Sequence, residues 1–268
     1  RTAFKEGIEA FGFGEKTGIE LTPEASGNVD ALSKQAEVYG ATASFGQGIS
    51  VTPIQLLAGF TALANGGRLL KPFIIEEIIY PDGRREKTSS EYLGSPISAR
   101  TSELIRGMLV SVVERGHATA AAVPGYFVAG KTGTAQVANP RGPGYLEGVV
   151  ITSYAGFAPA DDPAFVMLVK LDKPRAGKWA SVNAAPLFSE IATYLLAYLE
   201  VPMERDIYAP KETEAVPDLP SDLSDAPDIV SIDTGSGETL DTPVEPPPIE
   251  EIQDMTDDTV EAVEGVEE

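Results

Sequence analysis

Residues 50–67 repeat apolar side chains with the period of an α-helix. Ser50 or Thr52 can cap this helix, Pro53 suits its first position, and Asn65-Gly66-Gly67 stops it. One face is predicted to carry Ile54, Leu57, Thr61 and Ala64. The segment therefore predicts a helix whose two ends are both marked in the sequence.

Two further segments have the same period. Residues 101–115 predict a helix that ends at Gly116, and residues 185–200 predict one with Pro186 near its start. The expected stripes are Leu104, Met108 and Val112 beside Ile105, Leu109 and Val113 in the first, and Leu187, Ile191, Leu195 and Leu199 in the second.

Strand patterns lie between the helices. Residues 72–88 predict a hairpin that turns at Pro81-Asp82-Gly83, and three more strands are predicted in residues 126–138, 149–159 and 164–172. The last two are separated by too few residues for a crossover helix, so they must be antiparallel neighbours. Strands followed by a closing helix predict an α+β fold, with a mostly antiparallel sheet flanked by helices.

Charge divides the chain into two parts. Of its 41 acidic residues, 19 lie between Glu212 and Glu268, where there is no Lys or Arg, which leaves 22 acidic against 20 basic residues before that point. The acidic part also has seven prolines and no aromatic residue, a composition typical of disorder. We therefore predict a folded part over residues 1–202 and a disordered tail over 203–268, which is either a solvated extension or a docking segment for a basic partner. Nucleic-acid binding is disfavoured because the folded part has no basic excess.

Composition also limits the chemistry. The chain has no cysteine and a single histidine, His117, which reads as a surface or capping residue after the second helix. We therefore expect no metal site and no cofactor. No apolar run reaches the length of a membrane span, so any anchor is expected outside this chain, which begins with Arg1 and reads as a piece of a longer protein.

Lys131 belongs to two overlapping motifs. Gly125 to Thr132 fits the phosphate-loop pattern G-x-x-x-x-G-K-[ST], and the apolar strand ending at Asp172 loosely supports that interpretation. A phosphate loop, however, needs its Lys-Thr to open a helix. Here residues 126–129 are bulky strand formers, and a glycine at 133 would cost about 1 kcal/mol within a first helical turn. The pattern therefore favours a strand.

As a strand, Lys131-Thr132-Gly133-Thr134 suits recognition of a carboxylate. Thr132 and Thr134 alternate onto one face and offer two hydroxyl donors, while Lys131 supplies a positive charge. Gly133 removes a side chain where an extended substrate would approach. Taken alone, the four residues could equally form a strand whose lysine faces solvent.

Six stretches carry a more specific signal. In order they are "FGFGEKTGIEL", "PEASG", "ASFGQGISVTPIQLLAGFTALANGG", "AAAVPGYFVAGKTGTAQ", "SYAGFAPADDPAFVMLVKLDKP" and "AAPLFSEI". From Phe4 to about Pro202 the chain thus resembles the C-terminal half of the transpeptidase domain of class B penicillin-binding proteins, the D,D-transpeptidases of bacterial division and elongation. The resemblance implies a five-stranded, mostly antiparallel sheet between helical layers, with the Lys-Thr-Gly strand at the edge of the active-site cleft.

The resemblance also implies a role for each motif residue. Lys131 would fix the substrate carboxylate and set the electrostatics of acyl transfer, and the hydroxyls of Thr132 and Thr134 would hydrogen-bond that carboxylate beside Gly133. The backbone N–H of Thr134 would form half of the oxyanion hole. The implied ligands are a peptidoglycan stem peptide ending in D-Ala-D-Ala and the β-lactams, and the implied location is the extracytoplasmic face of the bacterial cytoplasmic membrane.

Two motifs of the family are not matched. No Ser-x-x-Lys occurs, so no nucleophile is assigned, and Ser26-Gly27-Asn28 and Ser181-Val182-Asn183 fit Ser-x-Asn only by accident, at the wrong places. The chain is therefore expected to be inactive alone and to need the N-terminal half of the domain as its partner. The alternative is a non-catalytic scaffold module that binds division or elongation proteins.

Overall fold

A three-stranded sheet positions the Lys-Thr-Gly residues. The computed structural model describes residues 2–34, 36–175 and 177–206. The helices are α1 Thr2–Ala10, α2 Glu37–Ser44, α3 Pro53–Ala64, α4 Ala99–Arg115 and α5 Ala184–Tyr198. The strands are β1 Leu69–Leu70, β2 Glu77–Ile79, β3 Arg85–Lys87, β4 Tyr92–Gly94, β5 Ala129–Ala138, β6 Tyr145–Ala158 and β7 Phe165–Asp172.

The sheet has the strand order β5-β6-β7. β6 and β7 are antiparallel, and their register runs from the pair Ile151 and Asp172 to the pair Ala158 and Phe165. This confirms the pairing that the short connection between them predicted. Within the described residues β5 is an edge strand of this sheet, and three of the five strands implied by the resemblance are present.

Helices cover both faces of the sheet. On one face Tyr154 of β6 and Val169 of β7 pack with Phe188 and Leu196 of α5. On the other face Phe157 of β6 joins a cluster with residues of α3 and α4. Tyr154 and Phe157 are three residues apart, so alternation along the strand sends them to opposite faces. The predicted α+β arrangement is confirmed.

Helix α3 begins and ends where the sequence predicts. The Thr52 hydroxyl accepts a hydrogen bond from the Gln55 N–H at 3.2 Å, and the Gln55 side chain accepts one from the Thr52 N–H at 2.8 Å, which forms a capping box. Gln55 also donates to the carbonyls of Glu15 and Ser26, both at 2.6 Å. This buried side chain therefore satisfies its polar atoms while it joins the loop after α1 to α3.

The residues predicted to face the core from α5 are wrong by one position. Leu187 and Ile191 are each 36 % exposed and Leu199 is 48 % exposed. The face that meets the sheet instead carries Ala184, Ala185, Phe188, Ala192 and Leu196. Alanines let the helix backbone approach the strands closely, and the Phe188 ring fills the space beside Tyr154.

The second predicted helix and the hairpin are largely as expected. α4 is capped by the Ser98 hydroxyl and ends at Gly116, and its deeply buried apolar residues are Leu109 and Val113, whereas Met108 is 60 % exposed. The hairpin pairs β2 with β3 in antiparallel register across the predicted turn. Helices α1 and α2 were not predicted, and α1 has no buried residue.

The chain divides into two compact units. The first comprises residues 1–137 and 145–206. The second includes residues 138–144, where the N–H of Asn139 donates to the carbonyl of Gly144 at 3.0 Å. The rest of the predicted tail lies outside the described residues.

Candidate functional site

The Lys-Thr-Gly residues lie near the start of β5. Lys131 and Thr134 are exposed, and Thr132 and Gly133 are half-buried. An edge strand leaves one row of its backbone N–H and C=O groups without a neighbouring strand. The motif therefore lies where a ligand can reach both its side chains and its backbone, on the strand that the sequence predicted.

Packing against β6 shows which way each side chain points. A Cβ atom added at Gly130 would collide with the hydroxyl of Tyr154, and one at Gly133 would lie 2.6 Å from the Ser153 Oγ. Alternation then directs Thr132 and Thr134 to the Tyr154 side of the sheet and Lys131 to the Ser153 side. The threonines do share a face, as predicted, but the lysine extends from the other one.

Although the Lys131 side chain leaves β5 on the Ser153 side, its ammonium group contacts Thr132 at the edge of the strand. Its Nζ donates to the Thr132 carbonyl at 3.1 Å and to the Thr132 Oγ1 at 3.4 Å. In the described parts of the chain no carboxylate forms an ion pair with it. A cation and a hydroxyl thus meet in one exposed place, and a bound carboxylate would contact both.

Packing within the sheet explains why residue 133 is a glycine. Its missing side chain makes room for Ser153, whereas the sequence suggested only room for a substrate. Gly130 and Gly156 serve the same packing, because a Cβ at Gly156 would lie 2.7 Å from the Ala129 carbonyl. β5 and β6 therefore approach more closely here than side chains on these positions would allow.

The Tyr154 side chain packs against the backbone of β5 at Gly130. The side chain is fully buried, and its ring lies 4.6 Å from the Phe188 ring at an interplanar angle of 58°. Its hydroxyl has no hydrogen-bond partner among the described residues, and burial strongly raises the pKa of this phenol. The stretch "SYAGF" carries part of the family resemblance, but the sequence alone predicts no role for Tyr154, because only the contact with Gly130 shows one.

The phosphate-loop interpretation does not fit this geometry. Residues 129–138 form a strand, so Lys131-Thr132 opens no helix and presents no ring of N–H groups to an anion. Asp172 ends a strand that is antiparallel to its neighbour, unlike the parallel arrangement of phosphate-loop cores. Neither residue is placed to hold a nucleotide phosphate.

The two accidental Ser-x-Asn matches have structural roles. Asn28 exchanges backbone hydrogen bonds with Ser50 at 2.8 Å in each direction. Asn183 caps α5, because its Oδ1 accepts from the Ala184 N–H at 2.7 Å and from the Thr152 hydroxyl at 2.8 Å. Both asparagines organise loops through these hydrogen bonds.

The remaining features of the described residues add no second reactive centre. His117 is exposed just after α4, as the sequence predicted. In the part of the chain that the structure describes, no cluster of three His, Cys, Asp or Glu side chains is placed to bind a metal ion. None of the helices described there has the length and apolar character that crossing a membrane requires.

Comparison with known proteins indicates the family of this chain. Residues 1–193 match the family model of the penicillin-binding protein transpeptidase domain. Stage V sporulation protein D of Bacillus subtilis is 44 % identical over 187 residues, which cover 69 % of this chain and 29 % of that protein. Penicillin-binding protein PbpB of Mycolicibacterium smegmatis is 38 % identical over 79 % of this chain and 34 % of its own length.

Solved structures show the same fold. Penicillin-binding protein 3 of Mycobacterium tuberculosis, complexed with ampicillin, superposes with a TM-score of 0.70 at 34 % identity, over 78 % of this chain and 48 % of that one. The transpeptidase domain of Burkholderia pseudomallei penicillin-binding protein 3 gives a TM-score of 0.64 at 30 % identity, over 75 % of this chain and 59 % of that domain. The chain spans about a third of the length of the curated relatives it matches. It belongs to the transpeptidase family of class B penicillin-binding proteins.

Proposed function

We propose that this chain supplies the Lys-Thr-Gly wall of a serine D,D-transpeptidase site that cross-links peptidoglycan stem peptides. The observation that carries the proposal is the meeting of the Lys131 ammonium and the Thr132 hydroxyl on an exposed edge strand. A terminal carboxylate bound there receives a cation and hydroxyl donors, the kind of charge-assisted contact that fixes both position and orientation. The substrate is a stem peptide ending in D-Ala-D-Ala, and β-lactams occupy the same place.

The edge of β5 also supports acyl transfer. The backbone N–H of Thr134 is the proposed first donor of the oxyanion hole, and loss of one such donor typically lowers the rate by about 10²–10³-fold. A serine attacks the carbonyl of the penultimate D-Ala, its oxygen forms the ester, and the terminal D-Ala leaves with the proton of the hydroxyl. An amine of a second stem peptide then attacks the ester carbonyl and forms the amide cross-link, while the ester C–O bond breaks and one proton of the amine restores the serine hydroxyl.

The nucleophile and its lysine base come from outside this chain, because its 268 residues contain no Ser-x-x-Lys. The N-terminal half of the domain is therefore the first partner, and the chain alone is inactive in acyl transfer. The complete protein works at the extracytoplasmic face of the bacterial cytoplasmic membrane, with division or elongation proteins as further partners.

Labelling with a fluorescent penicillin tests the proposal. The longest native protein that contains this sequence is compared with its Lys131→Ala variant and with Lys87→Ala, a control that removes an exposed lysine on β3. Label on the parent and the control, with a strong loss in Lys131→Ala, is the expected result. Absence of label on the parent would contradict catalysis and favour the scaffold role. An intact Ser-x-x-Lys motif upstream of this sequence would argue against the scaffold role.

A further inference from the structure

The chain turns back directly after α5. Glu200 has a positive φ of 54°, and its N–H donates to the Ala197 carbonyl at 3.2 Å. The N–H of Val201 donates to the Leu196 carbonyl at 3.0 Å. This Schellman pattern ends the helix and redirects the chain. Residues 201–205 follow, and we call them the clasp.

The clasp forms hydrogen bonds with the backbone that leads into β5. The Gly125 carbonyl accepts from the N–H of Glu204 at 2.9 Å and from the N–H of Arg205 at 3.2 Å. The Phe127 N–H donates to the Glu204 Oε2 at 2.7 Å. The Tyr126 carbonyl accepts from the Arg205 Nη2 at 3.1 Å. The two bonds that involve charged side chains are stronger than bonds between neutral groups.

Arg205 is held in turn by α4. Its guanidinium donates two hydrogen bonds to the Glu114 carboxylate, at 2.9 and 3.0 Å. It also lies over the Phe127 ring, with its Cζ 4.5 Å from the ring centre. A planar guanidinium that is paired at two points and stacked on an aromatic ring has a defined orientation. The clasp is therefore anchored to α4 as well as to the chain before β5.

Two further contacts complete the clasp. The Tyr126 hydroxyl donates to the Val201 carbonyl at 2.6 Å, and the Tyr126 side chain is buried. A Cβ atom at Gly125 would lie 2.9 Å from the Met203 Cγ, so the methionine occupies the space over this glycine. Gly125 also has a positive φ of 86°. Backbone conformation and close packing thus explain the glycine that begins the phosphate-loop match.

The residues bound by the clasp lie close to the Lys-Thr-Gly motif along the chain. Three buried residues, 128–130, separate Phe127 from Lys131. The extended chain covers about 13 Å over these four steps. Because a close-packed interior has low compressibility and transmits strain, a shift at Phe127 is passed on to Lys131.

We propose that Glu204 and Arg205 are positioning residues for acyl transfer. The inference rests on the proposed function, in which Lys131 holds the substrate carboxylate and the Thr134 N–H stabilises the oxyanion. By fixing residues 125–127, the clasp sets where both groups lie relative to the serine of the N-terminal half. Glu204 and Arg205 act through the backbone of β5 and not on the substrate.

Acylation by a fluorescent penicillin tests the clasp in the longest native protein that contains this sequence. The final number of labels per molecule and the second-order rate of labelling are both measured well below the Tm of each variant. Glu204→Ala removes the acceptor of the Phe127 N–H and should lower the rate by about 10- to 100-fold, the loss expected for a displacement of up to about 1 Å. The final labelling should not change, because every folded molecule still reacts. A change that only destabilised the fold would instead lower Tm or the final labelling and leave the rate of the folded molecules as in the parent.

Matched variants separate the hydrogen bond from general effects of substitution. Glu204→Gln keeps an oxygen that can accept from the Phe127 N–H, so it should recover most of the rate lost in Glu204→Ala. Arg205→Ala should slow labelling in the same way as Glu204→Ala. The control is Arg85→Ala, which breaks the 2.8 Å ion pair with Glu77 in the β2–β3 hairpin and should leave the rate unchanged.

Three results would overturn the inference. They are parental rates in both Glu204→Ala and Arg205→Ala, a loss that appears only as fewer labels per molecule, and a Glu204→Gln rate as low as that of Glu204→Ala. In each case a labelled parent leaves the proposed function standing, since Lys131→Ala tests that function separately. A parent that takes no label overturns the proposed function and this inference together.

Discussion

Replacement of Gly130 by alanine tests whether Tyr154 sets the position of the Lys-Thr-Gly strand. The added methyl would collide with the Tyr154 hydroxyl and would lie 2.5 Å from the ring carbon that carries it. Gly130 does not have a positive φ, so the backbone itself accepts an alanine. Tyr154 is fully buried against Phe188, so its ring cannot swing away. The strand and the ring must therefore separate.

The expected cost is that of an overpacked core. Inserting a methyl into such a site destabilises by about 1–3 kcal/mol, and a loss of about 2 kcal/mol corresponds to a fall in Tm of roughly 4–8 °C for a domain of this size. Because Lys131 is the next residue, the same displacement should lower the rate of β-lactam acylation, by up to about 10²-fold for a shift near 1 Å.

Calorimetry and acylation kinetics on the longest native protein measure both effects. Gly107→Ala is the matched control, since nothing lies within 4 Å of a Cβ at that helical position and alanine should stabilise the helix. Tyr154→Phe should be neutral or slightly stabilising, because its hydroxyl has no partner among the described residues, and it should partly rescue Gly130→Ala. An unchanged Tm in Gly130→Ala would refute the proposed contact.

Three further predictions concern the folded part. Thr52→Ala should lower the free energy of unfolding by about 1 kcal/mol in a denaturant titration, because it removes the cap of α3 that bonds Gln55. The Thr17 hydroxyl, followed by the backbone N–H groups of Thr17 and Gly18, holds the pKa of Glu24 below its usual value of 4.5. Because its pKa is lowered in the folded state, the Glu24 carboxylate stabilises the fold at pH values above 4.5. This contribution is lost as the pH falls through the folded-state pKa. Glu24→Gln should therefore make Tm depend less on pH on the acid side of a plot of Tm against pH. Residues 1–202 expressed alone should aggregate, and a monodisperse, cooperatively melting sample would contradict this.

The aggregation prediction rests on apolar surface that the structure leaves uncovered. On α5, Leu187, Ile191, Tyr194 and Tyr198 form one exposed face, and the rings of Tyr194 and Tyr198 stack at 6.1 Å. Exposed apolar patches of this kind promote association when nothing covers them. The sequence had predicted part of this stripe as the core face of the helix, which is why the error in α5 matters for behaviour in solution.

Local signals in the sequence determined much of the fold. The cap at Thr52, the stop after Ala64 and the turn at Gly83 depend on backbone conformations and hydrogen bonds within a few residues, so the residue types alone predict them. The antiparallel pairing of β6 and β7 also followed from the sequence, because a connection that short permits no other. The same holds for the Lys-Thr-Gly motif, whose residue types predict the strand on which it lies.

Contacts between distant segments decided the rest. Which face of α5 is buried depends on the shape of the sheet that it meets, and two stripes of similar apolar character could each have filled that role. The reason for Gly130 and Gly133 is visible only once Tyr154 and Ser153, from the next strand along the chain, lie beside them. Periodicity and motifs record local geometry, whereas packing between strands and helices is a property of the assembled tertiary structure.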